Sequence, residues 1–241
     1  VLWPYHSGHP LAFAAQFDLS DLAPFDERGL LPPEGILLFF VMDPYYETIA
    51  RYEDTIFRVL YYGKSAEPLR RCTCPHQLSA EGRFAPCKLT FSRQITLQSY
   101  QTDDPLTERL YGFPATLRSD ELHAYFALEK RLLAEAGGVP HTLHRLLGHP
   151  DLLQYGMRGD LAQDLEDTAF SIDAGRDESS GESPNPFRTR RAFPWHLLLQ
   201  LDSDGQAGMR WSGAGRIFFW IRDRDLRGRD FSRVVLLDQA T

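Results

Sequence analysis

Two short strings carry the side chains best suited to chemistry. LAFAAQFDL (Leu11–Leu19) and WHLLLQLDS (Trp195–Ser203) both contain Gln-x-Asp, which sets Gln16 with Asp18 and Gln200 with Asp202. Two carboxylates and two amides on related strand ends could converge on a ligand or move a proton. The same residue types also do simpler work. A Gln at a sheet end bonds exposed backbone, and an Asp before Leu-Ser-Asp or Ser-Asp-Gly makes an Asx turn. The spacing favours turn chemistry for both pairs.

Two other groups hold candidate metal or proton-transfer residues. In Pro140–Gln154 (PHTLHRLLGHPDLLQ), His141 and His144 are three apart and His149 follows Gly148. Histidines at this spacing share a helical face and can bind metal or act as a base. No HExxH pattern accompanies them and no acid is spaced to complete a site, so the expected structure is a short helical turn stopped by Gly148 and restarted after Pro150. Cys72, Cys74, His76 and Cys87 place four nitrogen or sulfur donors within 16 residues. The C-x-C-x-H-x10-C spacing is poor for zinc, because a knuckle needs two or more residues between paired cysteines to wrap one ion. The reading is a loop with incidental thiols, with Cys87 a small buried side chain opening a strand. No metal or cofactor is expected. Gly-rich phosphate loops, a GxSxG elbow and a kinase signature set are absent from the sequence.

The elements that must position these groups are mostly strands. Leu11–Leu19, Gly35–Met42, Thr55–Tyr62, Lys88–Leu97, Trp195–Leu201, Arg216–Ile221 and Ser232–Leu237 are short, apolar and bounded by Gly, Pro, Asp or Ser. Period-two counting puts Phe13, Ala15, Phe17 and Leu19 on one face, and Trp195, Leu197, Leu199 and Leu201 on the corresponding one. One long amphipathic helix is expected, capped by Ser119, acidic at Asp120 and Glu121, and closed by Gly137 and Gly138. Leu122, Tyr125, Phe126, Leu132, Leu133 and Ala136 would bury one face. Leu161–Phe170 could form a second helix, and Asp173–Pro186 reads as a polar loop.

An internal repeat organises the strands. Leu11–Leu19 matches Trp195–Ser203, Glu34–Asp43 matches Ala214–Asp223, and Phe57–Tyr62 matches Ser232–Leu237, with offsets of 184, 180 and 175. These matches align Gly35 with Gly215 and Arg58 with Arg233. The expected fold is α+β: a mainly antiparallel sheet built from two related three-strand units, about 11–62 and 195–237, with the long helix between them. Residues 1–241 are read as one domain, and the start at Val1 suggests a missing upstream segment.

The chain has 241 residues with 26 Lys plus Arg against 33 Asp plus Glu, a net charge of −7. That balance argues against a general nucleic-acid binder. No apolar run reaches the roughly 18–20 residues that span a bilayer. Three cysteines and no signal segment point to a soluble protein of a reducing, cytoplasmic compartment. The charge is concentrated. Residues 160–182 hold eight acids and one Arg, so the rest of the chain is neutral. Asp160, Asp164, Glu166 and Asp167 are the densest part, and a solvated acidic loop is the ordinary form of such a run.

Longer strings bring a resemblance. HRLLGHPDLLQ (His144–Gln154), WHLLLQLDSD (Trp195–Asp204), WSGAGRIFFWIRDRDL (Trp211–Leu226) and FSRVVLLDQ (Phe231–Gln239) resemble the YwqG-like family of bacterial proteins, a domain of unknown function. PLAFAAQFDLSDL, LPPEGILLFF and GRFAPCKLTF fit the same pattern, so the likeness covers nearly the whole chain. It implies a single α+β domain, cytoplasmic residence and no established enzymatic activity. It marks His144, Leu146, Leu147, Gly148, Pro150 and Gln154, then Gln200, Asp202, Trp211, Gly215 and Phe219. The family's W-G-D-A-G is here Trp211-Ser212-Gly213-Ala214-Gly215, without the Asp. A turn-forming Asp is readily replaced by Gly, so this departure favours a structural role at that position.

Proteins resembling this family occur near polymorphic toxin systems. The resemblance therefore implies a non-enzymatic protein-binding protein, an immunity protein that neutralises a toxin or effector. The acidic segment could steer a partner with a basic surface. Partner or ligand contacts are expected at Gln16, Asp18, His144, Gln154, Gln200, Asp202, Asp160, Asp164, Glu166 and Asp167, with neither nucleic acid nor membrane as partner. The alternative is a small-ligand or metal-dependent enzyme using His144, Gln154, Asp18 and Asp202 in one pocket.

Overall fold

The computed structural model describes residues 2–44, 56–63, 70–99, 117–135, 142–154, 156–157, 161 and 194–240. A short hairpin of β1 (Tyr5–His6) and β2 (His9–Pro10) turns on Ser7 and Gly8, both at positive φ. Strand β3 (Ala12–Asp18) runs into the one-turn helix α1 (Leu19–Leu22). With β4 (Ile36–Val41) and β5 (Phe57–Tyr62) it forms an antiparallel sheet ordered β3-β4-β5. Helix α2 (Ser119–Glu135) follows. The second sheet is ordered β6-β7-β8-β9, from β6 (Arg145–Leu146), β7 (Trp195–Asp202), β8 (Arg216–Arg222) and β9 (Val235–Gln239). Helix α3 (Asp223–Arg227) and a 3-10 turn (Phe231–Arg233) link β8 to β9. The chain is α+β, mainly antiparallel, with its one longer described helix between the two sheets in sequence.

The two units match in register. Gln16 lies opposite Leu38 and Asp18 opposite Ile36; Gln200 lies opposite Phe218 and Asp202 opposite Arg216. Both first strands carry a bulge at the same place, between Phe13 and Ala15 and between Leu197 and Leu199. The next backbone bond is shared too, Leu19 N–H to Gly35 O at 2.8 Å and Ser203 N–H to Gly215 O at 3.1 Å. The two glycines have a common reason. A Cβ on Gly35 would sit 2.5 Å from Tyr62 O, and one on Gly215 would collide with Gln239 O, so the third strand approaches where only hydrogen fits. Tyr62 and Gln239 are therefore equivalent, paired with Ile36 and Arg216. This corrects the third sequence offset by two residues. Arg58, opposite Phe40, corresponds to Val235, opposite Trp220, and Arg233 lies in the 3-10 turn before the strand.

The bulges also correct the period-two faces. An extra residue in one strand reverses which face later side chains occupy. Phe13 accordingly packs with Leu38 and Phe40, while Phe17 joins the main core with Leu37 and Phe39. Trp195 and Leu197 pack with Phe218 and Trp220, while Leu199 and Leu201 join the main core. That core takes inner-face residues from both sheets. Its centre is a pair of equivalent residues, Phe39 and Phe219, edge to face at 5.0 Å, a favoured aromatic geometry. Two copies of one surface packed on each other bring equivalent residues together, as at a two-fold interface.

Three other expectations are corrected. Residues 88–97 form no strand; the segment is exposed coil anchored by side chains, with Phe91 against Phe17 and Phe25 and Arg93 donating to Pro24 O. Cys87 is exposed rather than buried, because no strand forms there to cover it. Helix α2 exists, but none of its described residues is fully buried, and Phe126 and Leu128 are 40% and 38% exposed. Its anchor is a coil: Tyr125 Oη donates to Gln98 O at 2.9 Å. Its first turn is closed by Glu121, whose carboxylate accepts from Arg118 N–H at 2.9 Å, one half of a capping box. Most of Leu161–Phe170, all of Asp173–Pro186, and Asp160, Asp164, Glu166 and Asp167 lie outside the described residues. No helix among the described residues is long and apolar enough to cross a membrane.

Candidate functional site

At the end of β7, residues 142–154 cross over Gln200 and Asp202, which are 0% and 7% exposed. Asp202 Oδ2 accepts from Leu143 N–H at 2.9 Å, and Gln200 Nε2 donates to Leu143 O. One residue's backbone is thus held at both its polar groups. Gln200 Oε1 also accepts from Asp151 N–H at 2.9 Å, and its Nε2 reaches Asp151 Oδ2 at 3.0 Å. Between these anchors β6 adds to the edge of β7, with Arg145 opposite Gln200 and Leu146 opposite Leu199. Leu147 and Gly148 then turn the chain through positive φ of 58° and 75°. A Cβ on Gly148 would lie 2.8 Å from Thr96 Oγ1, so glycine also makes room for the Thr96 hydroxyl that bonds His149 N–H.

This arrangement corrects two expectations. Asp202 makes no Asx turn; with Gln200, which bonds backbone at the sheet end as expected, it fixes a segment 49 to 59 residues away in sequence. The Asx turn belongs to Asp204, whose Oδ1 accepts from Gln206 N–H at 2.7 Å. Residues 145–146 are a strand rather than a helical turn, because the left-handed Leu147–Gly148 pair reverses the chain as soon as it has paired with β7. His141 lies outside the described residues.

Charges inside the cluster are paired. Arg145, its side chain 8% exposed, lies 2.7 Å from Asp151 Oδ2 and donates to His149 O and Gln94 Oε1. Arg216 Nε lies 3.2 Å from Asp202 Oδ1, an ion pair by distance though not aligned as a hydrogen bond, and its Nη1 donates to Asp151 O. Removing one partner of such a pair strands a charge and costs about 3–5 kcal/mol. Glu129 of α2 faces the same group. Burial and then the Asp151 charge push its carboxyl up, with Arg145 opposing.

His144 has both ring nitrogens engaged. Nδ1 accepts from Asp202 N–H at 3.2 Å, which assigns the proton to Nε2, 3.4 Å from Asp204 Oδ2. Burial pushes the Asp204 carboxyl up, but the Gln206 amide, the His144 ring and the Ala207 amide outweigh it, leaving it below the ordinary carboxylate range. The second histidine pair is at the start of α3. His196 Nε2 lies 3.0 Å from Asp223 Oδ1, and Arg227 Nε donates to its Oδ2 at 2.8 Å. His196 first and Arg227 second hold Asp223 low, against a smaller effect of burial.

The remaining sequence candidates lie apart from this cluster. Gln154 offers its backbone: Gln239 Oε1 accepts from Leu153 N–H at 2.7 Å and from Gln154 N–H, while the Gln154 side chain is exposed. Asp18 caps α1, accepting from Ser20 N–H at 3.0 Å and Ser20 Oγ, as its Asx-turn expectation required. Gln16 is exposed. Of the four groups in the enzyme alternative, His144 and Asp202 meet, whereas Asp18 and Gln154 serve other positions. Cys72, Cys74 and Cys87 are free and exposed. Among the described residues no three His, Cys, Asp or Glu side chains are grouped to hold a metal ion. Sequence reasoning missed Gln239, Arg145, Arg216 and Asp151. Gln239 carried a signal: it ends an apolar strand, as Gln200 nearly does.

The profile of a family described as a domain of unknown function (DUF1963) matches residues 1–239. The chain belongs to that family. No curated protein matches it. In this DUF1963 member, Trp211–Gly215 is a tight turn, with Ser212 and Gly213 at φ of 42° and 94° and Gly215 N–H bonding Trp211 O at 2.7 Å. A glycine at position 213 suits that backbone at no steric cost. Trp211 itself is buried, its indole N–H bonding Asp202 O at 3.1 Å. It thereby ties the turn to the strand end that carries the clamp.

Proposed function

We propose that this protein is a cytoplasmic, non-enzymatic protein-binding protein, of the kind that neutralises a bacterial toxin or effector by occluding it. The observation that carries the reading is His144. It is the histidine at the polar cluster, its side chain 30% exposed, and hydrogen bonds to Asp202 N–H and Asp204 engage both its nitrogens. A general base needs a free nitrogen within reach of substrate. The carboxylates beside it are spent on Arg145, Arg216 and backbone amides. The YwqG-like resemblance supplies the toxin-neutralising context, and the acidic run of residues 160–182 supports a partner with a basic surface.

Co-expression with the products of neighbouring genes tests this directly. A stable complex is expected, with rescue of cells from the toxic partner. Neutralising Asp160, Asp164, Glu166 and Asp167 together should slow association at low salt by about tenfold. Absence of both complex and rescue across the neighbouring products would refute the binding role.

A further inference from the structure

The two units differ at one edge. In the second, β6 lies along the free side of β7, and Gln200 and Asp202 grip Leu143 N–H and C=O. In the first, β3 is the terminal strand of its sheet. Ala14, Ala15 and Gln16, the equivalents of Leu198, Leu199 and Gln200, make no backbone hydrogen bond to a described residue outside that sheet. The gripping residues are nevertheless there. Gln16 is exposed with no side-chain hydrogen bond to a described residue, and Asp18 uses Oδ1 for its cap while Oδ2 carries none.

We propose that the β3 edge, with Gln16 and Asp18, is a docking site for an extended segment of a partner protein, which adds to β3 as β6 adds to β7. The occupant follows from the internal comparison. Opposite Gln16 it must present a backbone C=O to the amide nitrogen and an N–H to Asp18 Oδ2, as Leu143 does for Gln200 and Asp202. Strand addition of this kind takes affinity from main-chain bonds and selectivity from alternate side chains. Its side chain near Asp18 is basic. Asp202 is neutralised by Arg216, whereas the equivalent position opposite Asp18 is Ile36. Close by, Asp21 of α1 is exposed, while Glu27 is already paired with Arg93 at 2.8 Å and Asp26 accepts from Leu31 N–H. The edge is therefore acidic, and an Arg or Lys in the occupant supplies the missing partner.

The site gives a surface to the binding role proposed above and rests on it, but it can be tested apart. The probe is a synthetic peptide of residues 143–151 (LHRLLGHPD), the segment already bound at the equivalent edge, titrated against the intact chain. Amide NMR shifts and hydrogen exchange are read at Ala14–Asp18. Saturable shifts and added protection at Ala14–Gln16 are expected, weakened about fivefold by Gln16→Ala through one lost hydrogen bond. A peptide N-methylated at Leu143 and Arg145 should lose binding. Three results would overturn the proposal: no response at Ala14–Asp18 at millimolar peptide, binding indifferent to Gln16→Ala, or protection that rises with protein concentration without peptide, which assigns the edge to a second copy. A toxic partner captured equally by wild type and Gln16→Ala keeps the binding role and removes this surface from it.

Discussion

Replacing Gln200 by leucine preserves approximate side-chain volume and β7 while removing every hydrogen bond the amide makes. Gln200 is 0% exposed, and its loss leaves Asp151 N–H and Leu143 O without those partners in a closed site. A buried group left unpaired costs about 1–3 kcal/mol, so two of them give about 3–5 kcal/mol after partial relaxation. Leucine returns part of this as apolar burial, about 1 kcal/mol for the methyl groups it adds. The expected net loss is about 2–4 kcal/mol. For a chain of this size that lowers Tm by roughly 4–16 °C.

The control lies within the same molecule. Gln16→Leu alters the equivalent residue of the first unit, where the amide is exposed and bonds no described residue. It should move stability by no more than about 0.5 kcal/mol. Urea unfolding followed by tryptophan fluorescence measures both, and hydrogen exchange at Arg145–Leu147 reports whether β6 detaches first. If Gln200→Leu stays within 0.5 kcal/mol of wild type, or if the two variants lose stability equally, the buried clamp does not hold β6 in place.

Further substitutions test the steric and electrostatic reasoning. Gly215→Ala should fail to fold stably, because a Cβ there meets Gln239 O and lies 2.7 Å from Trp211 O, both backbone, whereas Gly205→Ala has open space and should be tolerated; thermal melts separate them. Glu129 has a raised pKa in the folded chain, so wild type should lose stability as pH rises from about 4.3 through the folded value. Glu129→Gln should abolish that slope and be the more stable protein at pH 7, as read from urea midpoints between pH 4 and 8. Asp223 behaves oppositely: its folded pKa is lowered, so its contribution is present above about pH 3.9 and disappears as pH falls through the folded value. The gap in urea midpoint between wild type and Asp223→Asn should therefore be open at pH 6 and closed at the acid end.

What was legible in the sequence follows the range of the forces involved. Six of the seven expected strands, the two-unit repeat and the Gly35–Gly215 match could be read because local apolar runs and backbone crowding leave residue-level marks, whereas residues 88–97 and β6 could not. Period-two counting failed at Ala14 and Leu198 because a bulge has no fixed residue signature when the extra residue is itself apolar. The third offset slipped by two because the shared Arg-Val of Arg58 and Arg233 outweighed pairing, which only the register with Gly35 and Gly215 reveals. Gln200 and Asp202 were singled out for their types, yet their partners could not be named. Leu143 and Asp151 arrive from 49 to 59 residues upstream, and nothing in the strand itself encodes that arrival. The half-open face of α2 was hidden for the same reason: periodicity shows which side chains align, not how much surface waits to receive them.

The comparison of units separates what geometry demands from what an occupant demands. Gly35 and Gly215 are alike because both sit beneath the backbone of a third strand, and any side chain would push that strand away. Phe39 and Phe219 are alike because each is the other's packing partner. Neither reason extends to Gln16. In the second unit the amide has a visible purpose, since residues 143–151 lie over it and use its three hydrogen bonds. In the first, the equivalent amide is exposed at a strand edge beside a carboxylate whose Oδ2 bonds no described residue. The charge environment differs as well: Arg216, which neutralises Asp202, stands where the first unit has Ile36. An edge that keeps the gripping groups and lacks the internal cation is complementary to a basic extended segment supplied from outside.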